Sequence, residues 1–527
     1  MTIPGYDGVL EKLTSAKNAF SSWDNFRHAV QVKNTLSEND TAYHNADPLW
    51  MNEAWSFSTY CIFWFGLAFG NWSLGSAMIG IGLNWWQAIV VIFVSQMIAA
   101  IAMAFNSRAA ATYHLGYPAI SRVVFGMQMT VYSGASHVAN MLRAIFGDSY
   151  KNMPNHLPAS AGIATNKMIA FFIFWLIHLG FCFFRPYQLT KFFWFKGFIM
   201  VPAVFGVFVY CMIETGGQVN HTLPQANATS GMGWFIIHAI NTGMGAKGGD
   251  AKILSQLVKP ITCTLAASLG ILATAAINGK WGLTLWNPWD LLDAIQDRHN
   301  GSGPRFAIFL AAFTWTVGIL GTNIAANMIA FGSDVSLIAP RYIDMKRGFF
   351  LAQVLAYAIV PWKIMSSAKT FTSFLSGYGL FMASVAAIMI ADYFITTRGN
   401  IKPAWLFDPR KTNKYYRYHK GFNLQAVIAY LIGIALPLPG FLSSLGVSGV
   451  GVAGQRLFSL GWLLSFFVSL ISYPLICKFW PTENQKLFRE EGLTWEESSK
   501  TTIEGVYAGI SPDGIIVDAE KVIKEEA

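Results

Sequence analysis

A chain of 527 residues with 54% hydrophobic and only 12% charged residues is not a soluble globular protein, which spends about 25% of its residues on charge. The net charge of +9 does not mark a nucleic-acid binder either, because the basic residues cluster in short segments between apolar runs. The five cysteines, Cys61, Cys182, Cys211, Cys263 and Cys477, show neither metal nor disulfide spacing and read as packing residues.

Residues 1–50 are polar and mixed in charge with no early apolar run. They are expected to form a cytoplasmic extension, not a signal peptide. Apolar runs at 57–83, 85–105, 168–184, 258–277, 306–332, 426–445 and 457–476, uncharged but for Lys259, approach or exceed the ~20 residues that cross a bilayer core. Less obvious crossings at 123–146, 194–213, 231–246, 349–365 and 371–394 fill the gaps. The fold class is therefore an all-α polytopic membrane protein of twelve crossings, with a transmembrane domain over 51–479. The charged stretch 480–527 is expected to be a cytoplasmic tail, partly disordered.

Charge sets the orientation. The segment between the tenth and eleventh crossings holds Arg398, Lys402, Arg410, Lys411, Lys414, Arg417 and Lys420. Two more loops add Arg341, Lys346 and Arg347, and Arg185, Lys191 and Lys196, whereas 214–230 and 440–455 have no Lys or Arg. The positive-inside rule then places both termini in the cytoplasm. The sequons at Asn220, Asn227 and Asn300 all fall in loops assigned outside.

The first crossing carries Gly66, Gly70, Asn71, Trp72, Gly75, Gly80 and Gly82. The sixth, "GMGWFIIHAINTGMGAKGGD", is short and ends in glycines. Interrupted helices in corresponding halves point to a transporter's central site; close helix packing through small residues is the alternative for each. In the third crossing, Gln128, Thr130, Ser133, Ser136, His137, Asn140 and Arg143 must face protein or water. His137, His178 and His238 each lack a spaced acidic partner and read as packed, neutral core histidines. In the eighth crossing, "LGTNIAANMIAFGSD" places Asn323, Asn327 and Asp334 within roughly 40° of one another on an α-helix, one polar stripe on an apolar rod. No nucleophile elbow, phosphate loop or metal-spaced His/Glu pair occurs, so neither an enzyme nor an ATP-driven pump is expected.

Several longer stretches, "NWSLGSAMIGIGLNWWQA", "YHLGYPAISRVVFG", "MPNHLPASAGI", "WNPWDLL", "LGTNIAANMIAFGSDVSLIAPRYIDMKRG" and "LSGYGLFMASVAAIMIADYF", resemble the first family of nucleobase:cation symporters, in its branch of fungal uracil, allantoin and uridine permeases. The likeness runs in order from about residue 49 to residue 480. It implies a LeuT-type fold, two inverted five-helix repeats plus two C-terminal helices. It also implies uptake of a nucleobase-like heterocycle across the plasma membrane, coupled to protons or to sodium, with no cofactor and no nucleic-acid partner. By the same resemblance, Asn327 hydrogen-bonds the heterocycle, an amide offering both donor and acceptor to a ring edge. Asn71, Trp72 and Phe374 accompany it at the substrate. Trp72 either stacks on the ring or packs. Thr322, Gly318 and Ala68 match the cation site. Asp334 matches a gating position, with Lys252 and Lys247 as partners or simply as juxtamembrane lysines. Asn323 is expected to make a helix–helix hydrogen bond. The implied mechanism is alternating access, with crossings one, two, six and seven rocking against a scaffold that includes three and eight, and the tenth lidding the site near 374–378.

Two departures stand against that pattern. About one crossing's length, roughly 20 residues, is missing after "SRVVFG". Gly126 and Thr130 then stand where the family has a substrate-stacking Trp and a substrate-binding Gln, and Gln128 lies two places out of register, about 200° around a helix. "GMGAKGGDAKILSQL" lacks the family's Asp-Phe-(Ser/Thr)-Arg segment. A non-transporting homologue, acting as a sensor or inactive, and a same-fold thiamine or nucleoside transporter therefore stay open beside the primary reading.

Overall fold

The computed structural model describes residues 68–113, 139–184, 186–219, 232–244, 258–329, 331–332, 335, 342–358, 361–402, 414–416, 418 and 423–498. All regular structure among them is helical. The principal helices are α1 (Asn71–Gly80), α2 (Trp85–Tyr113), α3 (Thr165–Phe181), α4 (Thr190–Glu214), α5 (Met232–Met244), α6 (Val258–Trp281), α7 (Pro288–Arg298), α8 (Ser302–Asn323), α9 (Met345–Ala358), α10 (Ala368–Ala391), α11 (Leu424–Ala435) and α12 (Gly461–Phe479). Six helices among the described residues are long and apolar enough to cross a bilayer, and a seventh span is α11 with 438–444, bent by 56°. The bend falls at Pro437 and Pro439, whose missing N–H groups interrupt the ladder.

Three packing groups follow from the helix contacts. α1, α2, α5 and α6, the first, second, sixth and seventh crossings, pack on one another. α8 lies along α4 and continues into a segment touching α9, which in turn meets α3. α10, α11 and α12 form a third group. Small residues set the closest approach: a Cβ on Gly75 of α1 would lie 2.7 Å from the Ala267 carbonyl oxygen of α6, and one on Gly270 would lie 2.8 Å from the Trp72 carbonyl oxygen. Gly75 thus serves close helix packing. The chain then turns out of α1 at Gly82, whose φ of 105° belongs to the region that glycine tolerates without strain.

The end of the bundle that carries α7 also carries the C-terminus of α1, since Gly80 abuts Trp286 and Ala368. Residues 139–146 dock against α7. Asn140 Nδ2 donates to the Trp289 carbonyl oxygen at 3.1 Å and to Asp293 Oδ1 at 3.0 Å. Arg143 donates to Asp293 Oδ1 at 2.7 Å and also bonds Asp297. Two polar residues of the third crossing therefore face protein. Its residues 123–138 lie outside the description.

At the opposite end, residues 483–498, the first part of the charged C-terminal stretch, are folded onto the bundle. Thr482 and Gln485 form a reciprocal capping box that starts the helix Glu483–Glu490. Beyond it, Arg108 of α2 donates Nε and Nη2 to the two Glu496 oxygens at 2.9 and 2.8 Å. Tyr393 Oη donates to Glu496 Oε1 at 2.8 Å.

Candidate functional site

α8 does not run on as a regular α-helix through its polar stretch. It passes into a π-helical turn at Ile324–Met328, so the 100° step from Asn323 and Asn327 toward position 334 is not kept. Single π turns inside α-helices occur frequently at functional sites. Asp334 itself, with Lys252 and Lys247, lies outside the described residues.

Just before this turn, Thr322 Oγ1 donates to the Gly318 carbonyl oxygen at 2.9 Å. Two of the residues matched to the cation site are thus brought into one hydrogen bond. The third, Ala68, shares a buried cluster with Trp72, Met200, Val204 and Trp315, and its carbonyl oxygen accepts from Asn71 Nδ2 at 2.9 Å. The same Asn71 amide reaches Cys263 Sγ of α6 at 3.2 Å.

Lys196 completes this corner. Counted above among loop cations, it sits on the second turn of α4, is only 3% exposed and donates from Nζ to Thr322 Oγ1 at 2.8 Å. Glycines of α8 make room for it and for its neighbour. A Cβ on Gly321 would lie 2.5 Å from Lys196 Cδ, and one on Gly318 would overlap Met200 Sδ. Its only sequence signal is an isolated cation inside "FFWFKGFIM", a run too apolar for a loop.

A second set of contacts runs from the π turn to two neighbouring helices. Asn327 Nδ2 donates to Asn323 Oδ1 at 2.9 Å. Asn323 Nδ2 lies 3.1 Å from His178 Nε2, on α3. His178 Nδ1 lies 2.7 Å from Gln353 Oε1, on α9. The two ring nitrogens of His178 thus pair with one side-chain amide each, one from α8 and one from α9. Asn323, His178 and Gln353 are each 0% exposed, and Asn327 is half-buried. Asn323 makes the expected bond between helices. His178 is buried as expected but is not isolated, because its partners are amides 145 and 175 residues away. His238 packs its ring on Phe458.

Trp72, 1% exposed, meets Trp315 edge to face at 5.7 Å, so in this conformation it packs. Its indole Nε1 has no acceptor among the described residues. Phe374, on the first turns of α10, is half-buried. Gln128, Thr130 and Gly126 fall outside the description.

Charged groups gather at the two ends. Burial raises the Asp297 carboxyl, but hydrogen bonds from Lys151 and Arg143 outweigh it and hold the group below the ordinary aspartate value. At the other end, the hydrogen bonds from Arg108 hold Glu496 below the ordinary glutamate value against a smaller opposing effect of burial.

The chain matches the family described as "Permease for cytosine/purines, uracil, thiamine, allantoin" over residues 51–131 and 127–465. The two segments overlap at 127–131, within the third crossing expected from the sequence. It is 32% identical to an allantoin permease of Saccharomyces cerevisiae over 81% of this chain and 74% of that one. Against a uracil permease of the same yeast it is 29% identical over 94% and 88%. Among solved structures, its fold is similar to that of Mhp1, a nucleobase-cation-symport-1 family transporter solved closed with bromovinylhydantoin bound, at TM-score 0.56 and 19% identity, covering 85% of this chain and 98% of that one. The inward-facing conformation of Mhp1 gives a TM-score of 0.58 at 17% identity, over 87% and 98%. A multi-pass helix bundle with a polar π turn in its eighth crossing, matched over most of its length by permeases and by no enzyme among these relatives, belongs to the cytosine/purine, uracil, thiamine and allantoin permease family.

Proposed function

We propose that this permease imports a nucleobase-like heterocycle of the uracil or allantoin class by proton symport across the plasma membrane, with both termini in the cytoplasm. The curated relatives carry those substrates in their names, and the Asn327 carboxamide is the group that pairs with the ring. α1, α2, α5 and α6 rock as one body against the group that contains α4 and α8, exposing the Asn327 face to each side in turn. The charge asymmetry of the loops supports the orientation.

The observation that carries the proton assignment is the Lys196 ammonium against Thr322. Two unit charges 4 Å apart repel by about 4 kcal/mol at an effective dielectric constant near 20. A lysine seated there therefore disfavours a sodium ion beside Thr322. It also places at that point a group that takes up and releases a proton.

Uptake of radiolabelled uracil, allantoin and uridine in yeast lacking its own permeases tests this reading. Saturable uptake is expected for at least one of them. Uptake is expected to fall as external pH rises, to be unchanged when sodium is replaced by choline, and to be lost in Asn327→Ala. Sodium-dependent uptake would overturn the coupling. The family match falls into two segments that overlap at 127–131, which favours a non-transporting homologue as the second reading, and surface-expressed protein that carries none of the three would establish it.

A further inference from the structure

The third packing group, α10 with α11 and α12, touches both the rocking body and the scaffold, and the two sets of contacts differ in kind. Toward the rocking body they are directional. α10 packs on α1, α2 and α5, and α12 packs on α5. Thr242 Oγ1 of α5 and Ser376 Oγ of α10 share a buried hydrogen bond of 2.5 Å. The neighbouring Asn241, 1% exposed, accepts the backbone N–H of Trp462, at the start of α12, on its Oδ1 at 2.5 Å. Near the end of α2, Arg108 and Tyr393 both donate to Glu496, and Tyr393 Oη lies 3.3 Å from Thr112 Oγ1. Phe105 of α2 meets Phe394 edge to face at 5.6 Å, in the π-helical continuation of α10, Asp392–Thr396. An apolar cluster of Ala102, Met244, Ala383 and Trp462 joins the same helices.

The contacts that the first turns of α10 make with the scaffold are of another kind. Ala368 and Phe371 share an apolar cluster with Phe171 and Phe174 of α3 and with Ile324 and Met328 of the π turn. Burial of apolar surface has no direction, so such faces can slide while they stay covered, and shear of packed helices is a recurrent form of domain motion. A buried hydrogen bond cannot slide. Displaced, it leaves a donor and an acceptor unpaired.

We infer that α10, α11, α12 and the folded C-terminal segment travel with α1, α2, α5 and α6 as one enlarged body, and slip against the scaffold at the apolar cluster around Phe171. The inference rests on the rocking of α6 against α4 proposed above. It makes the segment 483–498 part of the moving machinery, with the Arg108–Glu496 pair as a tie inside one body. A third group that stayed with the scaffold would have to break the Thr242, Asn241 and Glu496 bonds in every cycle.

Paired cysteines bridged by a short, reducible bis-methanethiosulfonate test this. Glu214→Cys with Lys280→Cys joins α4 to α6, where Lys280 Nζ lies 2.9 Å from Glu214 Oε1, and so spans the two bodies. Phe105→Cys with Phe394→Cys joins α2 to the end of α10. The native cysteines among the described residues are buried. Cleavage at a protease site engineered between residues 220 and 230 shows on a non-reducing gel which chains are bridged. Uptake of labelled uracil or allantoin is compared at equal surface level with single-cysteine chains treated alike. The first bridge is expected to abolish uptake, with recovery on reduction, and the second to leave it in place. Arg108→Cys with Glu496→Cys, which ties α2 to the C-terminal segment, is expected to behave like the second pair and replaces it if the phenylalanine variant fails to reach the surface. Uptake lost on bridging α2 to α10, or α2 to the segment, overturns the inference while the rocking stands. Uptake that survives the bridge between α4 and α6 overturns the rocking and the inference with it, as does a wild-type chain at the surface that carries neither probe.

Discussion

At the α7 end, Arg143 reaches the carboxylates of Asp293 and Asp297, and at the opposite end Arg108 grips both oxygens of Glu496. Between these ends, α8 is tied to α3 and α9 by an imidazole and three amides, with no carboxylate or guanidinium among them. The difference follows from solvent. Carboxylates that stay partly hydrated can be paired at modest cost, whereas an ion moved into a low-dielectric interior loses hydration worth several kcal/mol. Amides and an imidazole ring join helices without that penalty. Lys196 breaks the pattern, a cation within a crossing helix that donates to a hydroxyl. A charge held at that expense is a functional residue by default.

The largest effect is therefore expected from Lys196→Met. Methionine has similar length and an apolar end, and Thr322 keeps its own bond to the Gly318 carbonyl, so the fold should survive. Losing a charge-assisted hydrogen bond of up to about 3 kcal/mol from the transport cycle corresponds to a fall in uptake on the order of 100-fold. Uptake measured at equal surface level checks this. An unchanged rate would make Lys196 a packing residue and remove the contrast between middle and ends.

Arg143→Ala comes next and concerns folding rather than transport. The guanidinium is buried, but its carboxylate partners are 37% and 44% exposed, so water recovers part of the loss. A destabilisation of about 2–3 kcal/mol is expected, read as a lower unfolding temperature in detergent. If Lys196→Met proved the more destabilising of the two, the assignment of structural roles to the ends and functional roles to the middle would be reversed.

Much of this was legible in the residues, and the failures have physical causes. Asn323 and Asn327 announced themselves because polar side chains inside an apolar run need a partner. Lys196 did not, because it follows Lys191 closely enough to look like the edge of a charged loop, and only the start of α4 at Thr190 places it inside. His178 lacked any local signal: its partners come from distant helices, and spacing along the chain carries no information about them. The π turn has no residue signature that separates it from an α-helix. The folded segment after Thr482 was readable, since "TENQ" is a capping-box pattern, but its overall charge masked it.

Glu496→Gln tests the other end. The substitution keeps one acceptor for Arg108 and Tyr393 but removes the ion pair, and about 1 kcal/mol is expected. The pH dependence has a definite sign. Glu496 is depressed in the folded chain, so its contribution is fully present above the unfolded glutamate value of about 4.3 and is lost as pH falls through the lower folded value. Limited proteolysis of the 483–498 segment should therefore quicken on acidification in the wild type, and should show no such step in Glu496→Gln.

The smallest effect is expected at Lys151, whose Nζ lies 2.5 Å from Asp297 Oδ1. The distance alone would rank this pair with the strongest in the molecule. Both side chains are 44% exposed, however, so water competes for each charge and two long side chains lose freedom in holding one geometry. Asp297 also keeps Arg143 when Lys151 is removed. Lys151→Ala should then cost less than about 0.5 kcal/mol, and raising the ionic strength should erase most of that. An effect as large as that of Arg143→Ala, measured in the same thermal unfolding experiment, would mean that contact distance rather than burial governs the pairs at this end, and the distinction between ends and middle would lose its physical basis.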